Sequence, residues 1–201
     1  MYRFKSIKYL STTGLITGLL VVIGYTSYWF FSWVITGALG GTTTLQLFDA
    51  FFIPFCALFK GPMMLFAGPI AGAIFDLISG VKLIVIPATI IIRILMFFAI
   101  KLLTRQKWWW SSFYSFFFAS LILMFGYPLY YLPVYQDKAI VINELITDTI
   151  QAGFAYLIAL LIYYPLHNRQ VKTLNSFWDD QQFDYLKQQK PKQTLVEKVT
   201  N

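Results

Sequence analysis

Charge is scarce in this chain. Of its 201 residues only 12% are Asp, Glu, Lys or Arg, roughly half the share usual in soluble domains. Cysteine occurs once, at Cys56, in an apolar run. A disulfide within the chain is therefore excluded, and a thiolate metal site is not expected. Histidine also occurs once, as His167 at the end of another apolar run. There is no histidine cluster for a metal, no serine–histidine pair for an intramembrane protease and no glycine-rich P-loop. An enzyme is not expected, nor a bound metal or cofactor. A cleavable signal peptide is also missing. Arg3, Lys5 and Lys8 precede an apolar run of about 25 residues, longer than a signal-peptide core and without a cleavage site. That run reads as a first membrane helix.

Apolar residues make up 58% of the sequence and aromatic ones 19%. Apolar runs recur along the chain, which predicts an all-α, polytopic membrane protein with one membrane domain, residues 1–166, and a polar tail, residues 167–201. Six helices are expected. The first covers residues 8–34 and carries Gly14 and Gly18, a GxxxG spacing that lets a second helix approach closely. A Gly/Thr-rich loop, 35–46, follows. Segments 47–59 and 63–79 are separated by Lys60-Gly61-Pro62, which breaks a continuous helix and predicts a hairpin of two short helices. The fourth helix is expected over 82–103, the fifth over 111–132 and the sixth over 139–166. Trp108, Trp109 and Trp110 beside Lys101, Arg105 and Lys107 read as an interfacial belt. The tail reads as a disordered or surface-lying end, with Phe177, Trp178, Phe183, Tyr185 and Leu186 able to form a weak amphipathic helix.

Six spans put both termini on one side. Arg3, Lys5, Lys8, Lys60, Lys101, Arg105, Lys107 and the basic tail residues all fall there, against Lys82 and Lys138 opposite. The positive-inside rule makes that side cytoplasmic.

Within this frame the embedded polar residues gather toward the outer half. They are Gln46, Asp49, Asp76, Asn143, Glu144, Asp148 and Gln151, with Tyr127, Tyr130, Tyr131 and Tyr135 at the same level. Glu144, Asp148 and Gln151 follow i, i+4, i+7 spacing and share one helix face. Counting at about 1.5 Å per residue puts Arg93 near the depth of Asp148 and predicts that the two are neighbours, a pairing that would remove two isolated charges from hydrocarbon. Aromatic faces with a few carboxylates and amides suit a small, flat, polar organic ligand. Two other readings of the same residues stand beside this one. The groups cap helix ends and bond one another, or Glu144 and Asp148 form a proton or cation path, as in a secondary transporter.

The segment from Leu47 to Gly80 has a polar residue early in the second helix, a Lys-Gly-Pro turn, the run GPIAGAIFD and a closing Ser-Gly. Gly126-Tyr127 and the run KAIVINELITDTIQAGFAYLIA follow later. Together these stretches resemble the substrate-binding S-components of energy-coupling factor vitamin transporters, most nearly the riboflavin-type subgroup, whose members do not all carry riboflavin. The likeness covers about residues 10–166. It implies a bacterial plasma-membrane protein that binds a vitamin from outside in a pocket made by helices 4–6 and the outer loops. It further implies docking on a transmembrane scaffold subunit driven by two cytoplasmic ATPases, and toppling in the membrane to deliver the ligand. Loop 35–46 would be a lid, with Gly40-Gly41 giving it freedom. The ligand-binding set expected from the embedded polar residues is Gln46, Asp49, Asp76, Arg93, Tyr127, Tyr131, Asn143, Glu144, Asp148 and Gln151, and the docking pair implied by the resemblance is Gly14 and Gly18. Two features depart from the family. Gly14 and Gly18 stand where it often has an Ala-x-x-x-Ala pair. Arg93, Met96, Phe97 and Ala99 stand where its fourth helix often has a lysine and glycines, so ligand identity is not carried across.

Overall fold

The computed structural model of the chain describes residues 7–39, 46–59, 61–104, 110–135 and 138–189. Gly40 and Gly41 of the expected lid, Trp108 and Trp109 of the expected belt, and several basic residues used for orientation (Arg3, Lys5, Lys60, Arg105 and Lys107 among them) lie outside these residues. Two compact units are present, Met1–Tyr163 and Tyr164–Asn201. In the second, helix continues through Gln189, over a stretch where a disordered or surface-lying end or a weak amphipathic helix was expected.

Six α-helices make up the described structure: α1 (Ile7–Leu39), α2 (Phe48–Leu58), α3 (Met63–Ile78), α4 (Ile86–Thr104), α5 (Ser111–Tyr135) and α6 (Lys138–Gln189). A 3-10 turn, Leu83–Val85, leads into α4. Hydrocarbon offers no partner for backbone N–H and C=O groups, so apolar chain of this length satisfies them internally as helix. Four stretches are long and apolar enough to cross a bilayer: Tyr9–Trp33, Leu83–Thr104, Ser111–Val134 and Val141–His167. Their outward faces carry large apolar side chains, for example Trp29, Trp33, Leu95, Phe118, Leu129 and Leu161, all exposed in the isolated chain. Exposure of that extent marks a surface meant for an apolar medium rather than water. The chain is a membrane protein by these features.

Helices α2 and α3 differ from the other four. They have 11 and 16 residues, so they extend about 16 and 24 Å at 1.5 Å per residue, short of a hydrocarbon core of about 30 Å. Helix α2 is mostly enclosed, with Phe48, Asp49, Ala50, Phe52, Ile53, Pro54 and Cys56 all buried. It packs against α1, α3, α4 and α5. The bundle is thus built around a short helix rather than around a long one.

Local chemistry sets the ends of these two helices. No side chain of its own caps the start of α2; instead the Leu47 N–H donates to Ser27 Oγ on α1, at 2.9 Å. Gly61 at the α2–α3 turn has φ +86° and Gly80 after α3 has φ +74°, a region open to glycine at little cost. At the end of α3 the Val81 N–H donates to Asp76 O at 3.0 Å and the Gly80 N–H to Leu77 O at 3.4 Å. This is a Schellman ending, and it fixes the terminal turn on which Asp76 sits.

Close approach of the central helices comes from Gly68 and Gly72 on α3. A Cβ on Gly68 would collide with the Phe52 ring, and one on Gly72 would lie 2.7 Å from Arg93 Cζ. Small residues four apart act here as the packing pair. Gly14 and Gly18 do not: both are exposed, and a Cβ on either meets nothing within 4 Å.

Candidate functional site

Arg93 is the largest fully buried side chain, at 1% exposure, and its surroundings define the inner part of the site. It lies on α4, whose neighbours α2, α3 and α5 all contribute to its enclosure. Asp49 in the first turn of α2 presents Oδ1 3.7 Å from Arg93 Nη2. The carboxylate position also suits the positive end of the α2 dipole. Arg93 Nη1 donates to Tyr127 Oη at 3.1 Å and to its own helix at Thr89 O, 3.4 Å. The Phe48 ring lies 4.4 Å from the guanidinium carbon, within cation–π range. Gly72 supplies the space beside Nε.

The expected Arg93–Asp148 neighbourhood is not what forms. Arg93 pairs with Asp49, and Asp148 has no ion pair among the described residues. Depth along α4 and α6 did not identify the partner, because the α2 carboxylate occupies the place beside the guanidinium.

A hydrogen-bond chain leads from Arg93 outward. Thr89 Oγ1 donates to Asp76 Oδ2 at 2.5 Å and lies 3.1 Å from Tyr127 Oη. A hydroxyl has one proton, so Thr89 accepts from Tyr127 once it donates to the carboxylate. The order is then Arg93 to Tyr127, Tyr127 to Thr89, Thr89 to Asp76. Each donor polarises the next, which strengthens a chain in a medium of low dielectric. Helix α6 joins through Gln151 Nε2, which donates to Asp49 Oδ2 at 3.3 Å.

Beside this network lies a cavity of about 180 Å³. Eight of the ten residues expected to bind a ligand line it: Gln46, Asp76, Tyr127 and Tyr131 with Asn143, Glu144, Asp148 and Gln151. Asp49 and Arg93 are not in its wall. They stand behind it as the buttress that holds Tyr127 and Gln151. Tyr130, expected at this level, donates instead to Ile84 O and ties α5 to the 3-10 turn. The Tyr135 side chain lies outside the described residues.

The wall also holds residues the sequence reading passed over: Tyr28 on α1, Phe75 on α3 and Ser79 just after it, Thr89 on α4 and Thr147 on α6. Thr89 had a usable signal. It stands one helical turn before Arg93 in an otherwise apolar run, so it shares that residue's face. Tyr28 had none, because α1 is apolar on all sides and its polar face is undefined by pattern.

Asp148 is a buried carboxyl of the cavity wall. It is 4% exposed, and among the described residues its Oδ2 has no hydrogen-bond partner. Glu144, one turn earlier on the same face, lines the cavity too. Among the described residues no group of three or more His, Cys, Asp or Glu is arranged to hold a metal ion. The arrangement can receive a small polar molecule: carboxylates and amides on one wall, tyrosine rings on another, closed behind by a locked ion pair.

No protein-family model matches the chain, and no curated protein matches it.

Proposed function

We propose that this protein is the substrate-binding membrane subunit of an energy-coupling factor importer. It captures a water-soluble vitamin or related small molecule from outside. It then delivers that molecule together with a transmembrane scaffold subunit and two cytoplasmic ATPases. The observation that carries the reading is the polar cavity, about 180 Å³, lined from five helices and from the segment before α2. A protein that only scaffolds others has no use for a polar cavity in an apolar bundle, where each unmatched polar group is costly. Six crossings with both termini cytoplasmic, in the plasma membrane of a bacterium, belong to the same proposal. They rest on the distribution of basic residues and on the resemblance of Leu47–Gly80 and the sixth helix to that family.

Docking on the scaffold is assigned to Gly14 and Gly18. Their exposed, unobstructed face of α1 supports this, since a partner helix could approach the backbone there.

One observation favours a second reading, a self-contained ion-coupled transporter or small channel. Glu144 and Asp148 stand on one face of α6, and among the described residues neither has an ion pair. Purified protein titrated with riboflavin, folate, pyridoxine, thiamine precursor, pantothenate and niacin separates the two by tryptophan fluorescence. Tight binding of one of them without a sodium or pH requirement is expected, together with co-purification of a scaffold subunit and two ATPases from cells. Ion-driven uptake into liposomes by this chain alone would overturn the first reading in favour of the second.

A further inference from the structure

The charges in and around the cavity are unequally available. Its wall contains three carboxylates, Asp76, Glu144 and Asp148, and among the described residues no lysine, arginine or histidine. The nearby cation, Arg93, is already engaged by Asp49, Tyr127 and the Thr89 carbonyl, with Phe48 against its plane. Asp76 is matched by the Thr89 hydroxyl. Asp148 is 4% exposed, and among the described residues its Oδ2 lacks a partner and it has no ion pair. Its like-charged neighbour Glu144 stands at i−4, a spacing at which two carboxylates repel. A buried carboxylate without a counter-charge is a large cost unless a cation completes it or it takes up a proton.

We propose that the cavity's ligand is an organic cation, a protonated amine or a positively charged heteroaromatic ring, seated on Asp148 with Glu144 as its second carboxylate. This rests on the ligand-binding reading above and narrows it to one charge class. The rings of Tyr127 and Tyr131, 6.4 Å apart and tilted, flank the same space and suit a flat cationic group by cation–π contact. An anionic ligand would meet three carboxylates and, among the described residues, no lysine, arginine or histidine in the wall. At about 180 Å³ the cavity is near the size of an apolar cavity of about 150 Å³ that holds one benzene ring, so it encloses one small ring or amine head.

The test separates a water-soluble cell extract by ion exchange into cationic, neutral and anionic pools. Each pool is added to the full-length protein in detergent, and the thermal unfolding midpoint is read. The expected result is a rise with the cationic pool alone. Asp148→Asn should need at least roughly tenfold more of that pool for the same rise, since a charge-assisted contact is lost. Stabilisation by the neutral or anionic pool alone overturns the charge assignment and leaves ligand binding standing. Equal response of Asp148→Asn to the cationic pool overturns the role of Asp148. A flat response to all three pools overturns the binding reading and this inference with it. Should Asp148→Asn not fold, the comparison of pools on the unaltered protein still decides the charge class.

Discussion

Arg93 Nη2 and Asp49 Oδ1 face each other at 3.7 Å, and the two side chains are 1% and 0% exposed. The pair ties the short α2 to α4 at the centre of the bundle, and Gln151 extends the tie to α6. Removing one member of a buried pair strands the other's charge, at about 3–5 kcal/mol. Arg93→Ala and Asp49→Ala should each lower the thermal midpoint in detergent by that measure. The double variant Arg93→Met/Asp49→Leu should recover much of the loss, because apolar replacements of similar volume often do as well as the ion pair. Asp148→Asn should not rescue Arg93→Ala. Rescue by Asp148→Asn but not by Asp49→Leu would show that the pairing is otherwise.

The two glycine pairs should behave in opposite ways. A Cβ on Gly72 would lie 2.7 Å from both Cζ and Nε of Arg93, so Gly72→Ala should destabilise by about 1–3 kcal/mol through overpacking. Gly14→Ala and Gly18→Ala meet nothing within 4 Å and should change stability by less than about 0.5 kcal/mol. If α1 docks on a scaffold there, the same two variants should nevertheless lose co-purification of the partner subunits. Thermal midpoints and pull-downs on the same preparations read both effects.

Tyr127 accepts from Arg93 and donates into Thr89, so its hydroxyl links the buried cation to Asp76 at the cavity wall. Tyr127→Phe keeps the ring and removes the link. It should cost roughly 1–3 kcal/mol, the penalty for leaving a buried donor without its acceptor. Thr89→Val should cost a similar amount by stranding Asp76. The two losses should fall short of additive in the double variant, since both break one chain. Full additivity in a double-mutant cycle would mean the groups act independently.

Lys101 Nζ donates to Phe59 O at 2.6 Å, at the end of α2 just before the Gly61 turn. That carbonyl has no helical partner, and Lys101 from α4 supplies one. Lys101→Met keeps the length of the side chain and removes the donor. It should lower stability by about 1–3 kcal/mol. A midpoint unchanged by Lys101→Met would show that the carbonyl finds another partner.

Much of the architecture was legible in advance. The helical segments followed from apolar runs, and the break at Lys60-Gly61-Pro62 separated α2 from α3. Glu144, Asp148 and Gln151 were placed on one face by periodicity, and all three line the cavity. Helix ends were less legible. Helix α1 runs to Leu39 and α5 to Tyr135, beyond residues 34 and 132 where polarity suggested stops. Pro128 and Pro133 sit inside α5 without ending it. In a bundle, neighbouring helices can hold such a segment in place when its own sequence would not.

The sequence by itself determined that the chain is all-helical and apolar outside, and that carboxylates, amides and tyrosines recur at one level along several helices. Periodicity and rise per residue supply those two coordinates, face and depth, for each helix alone. The tertiary structure decided which helix stands beside which. Gly68 and Gly72 let α3 close on Phe52 and Arg93, α2 lies enclosed in the bundle, and Asp49 rather than Asp148 meets the guanidinium. That choice depends on crossing angles and on how near two backbones can come, quantities set by side chains of several helices at once. It leaves Asp148, with Glu144, without an ion pair among the described residues of the cavity wall.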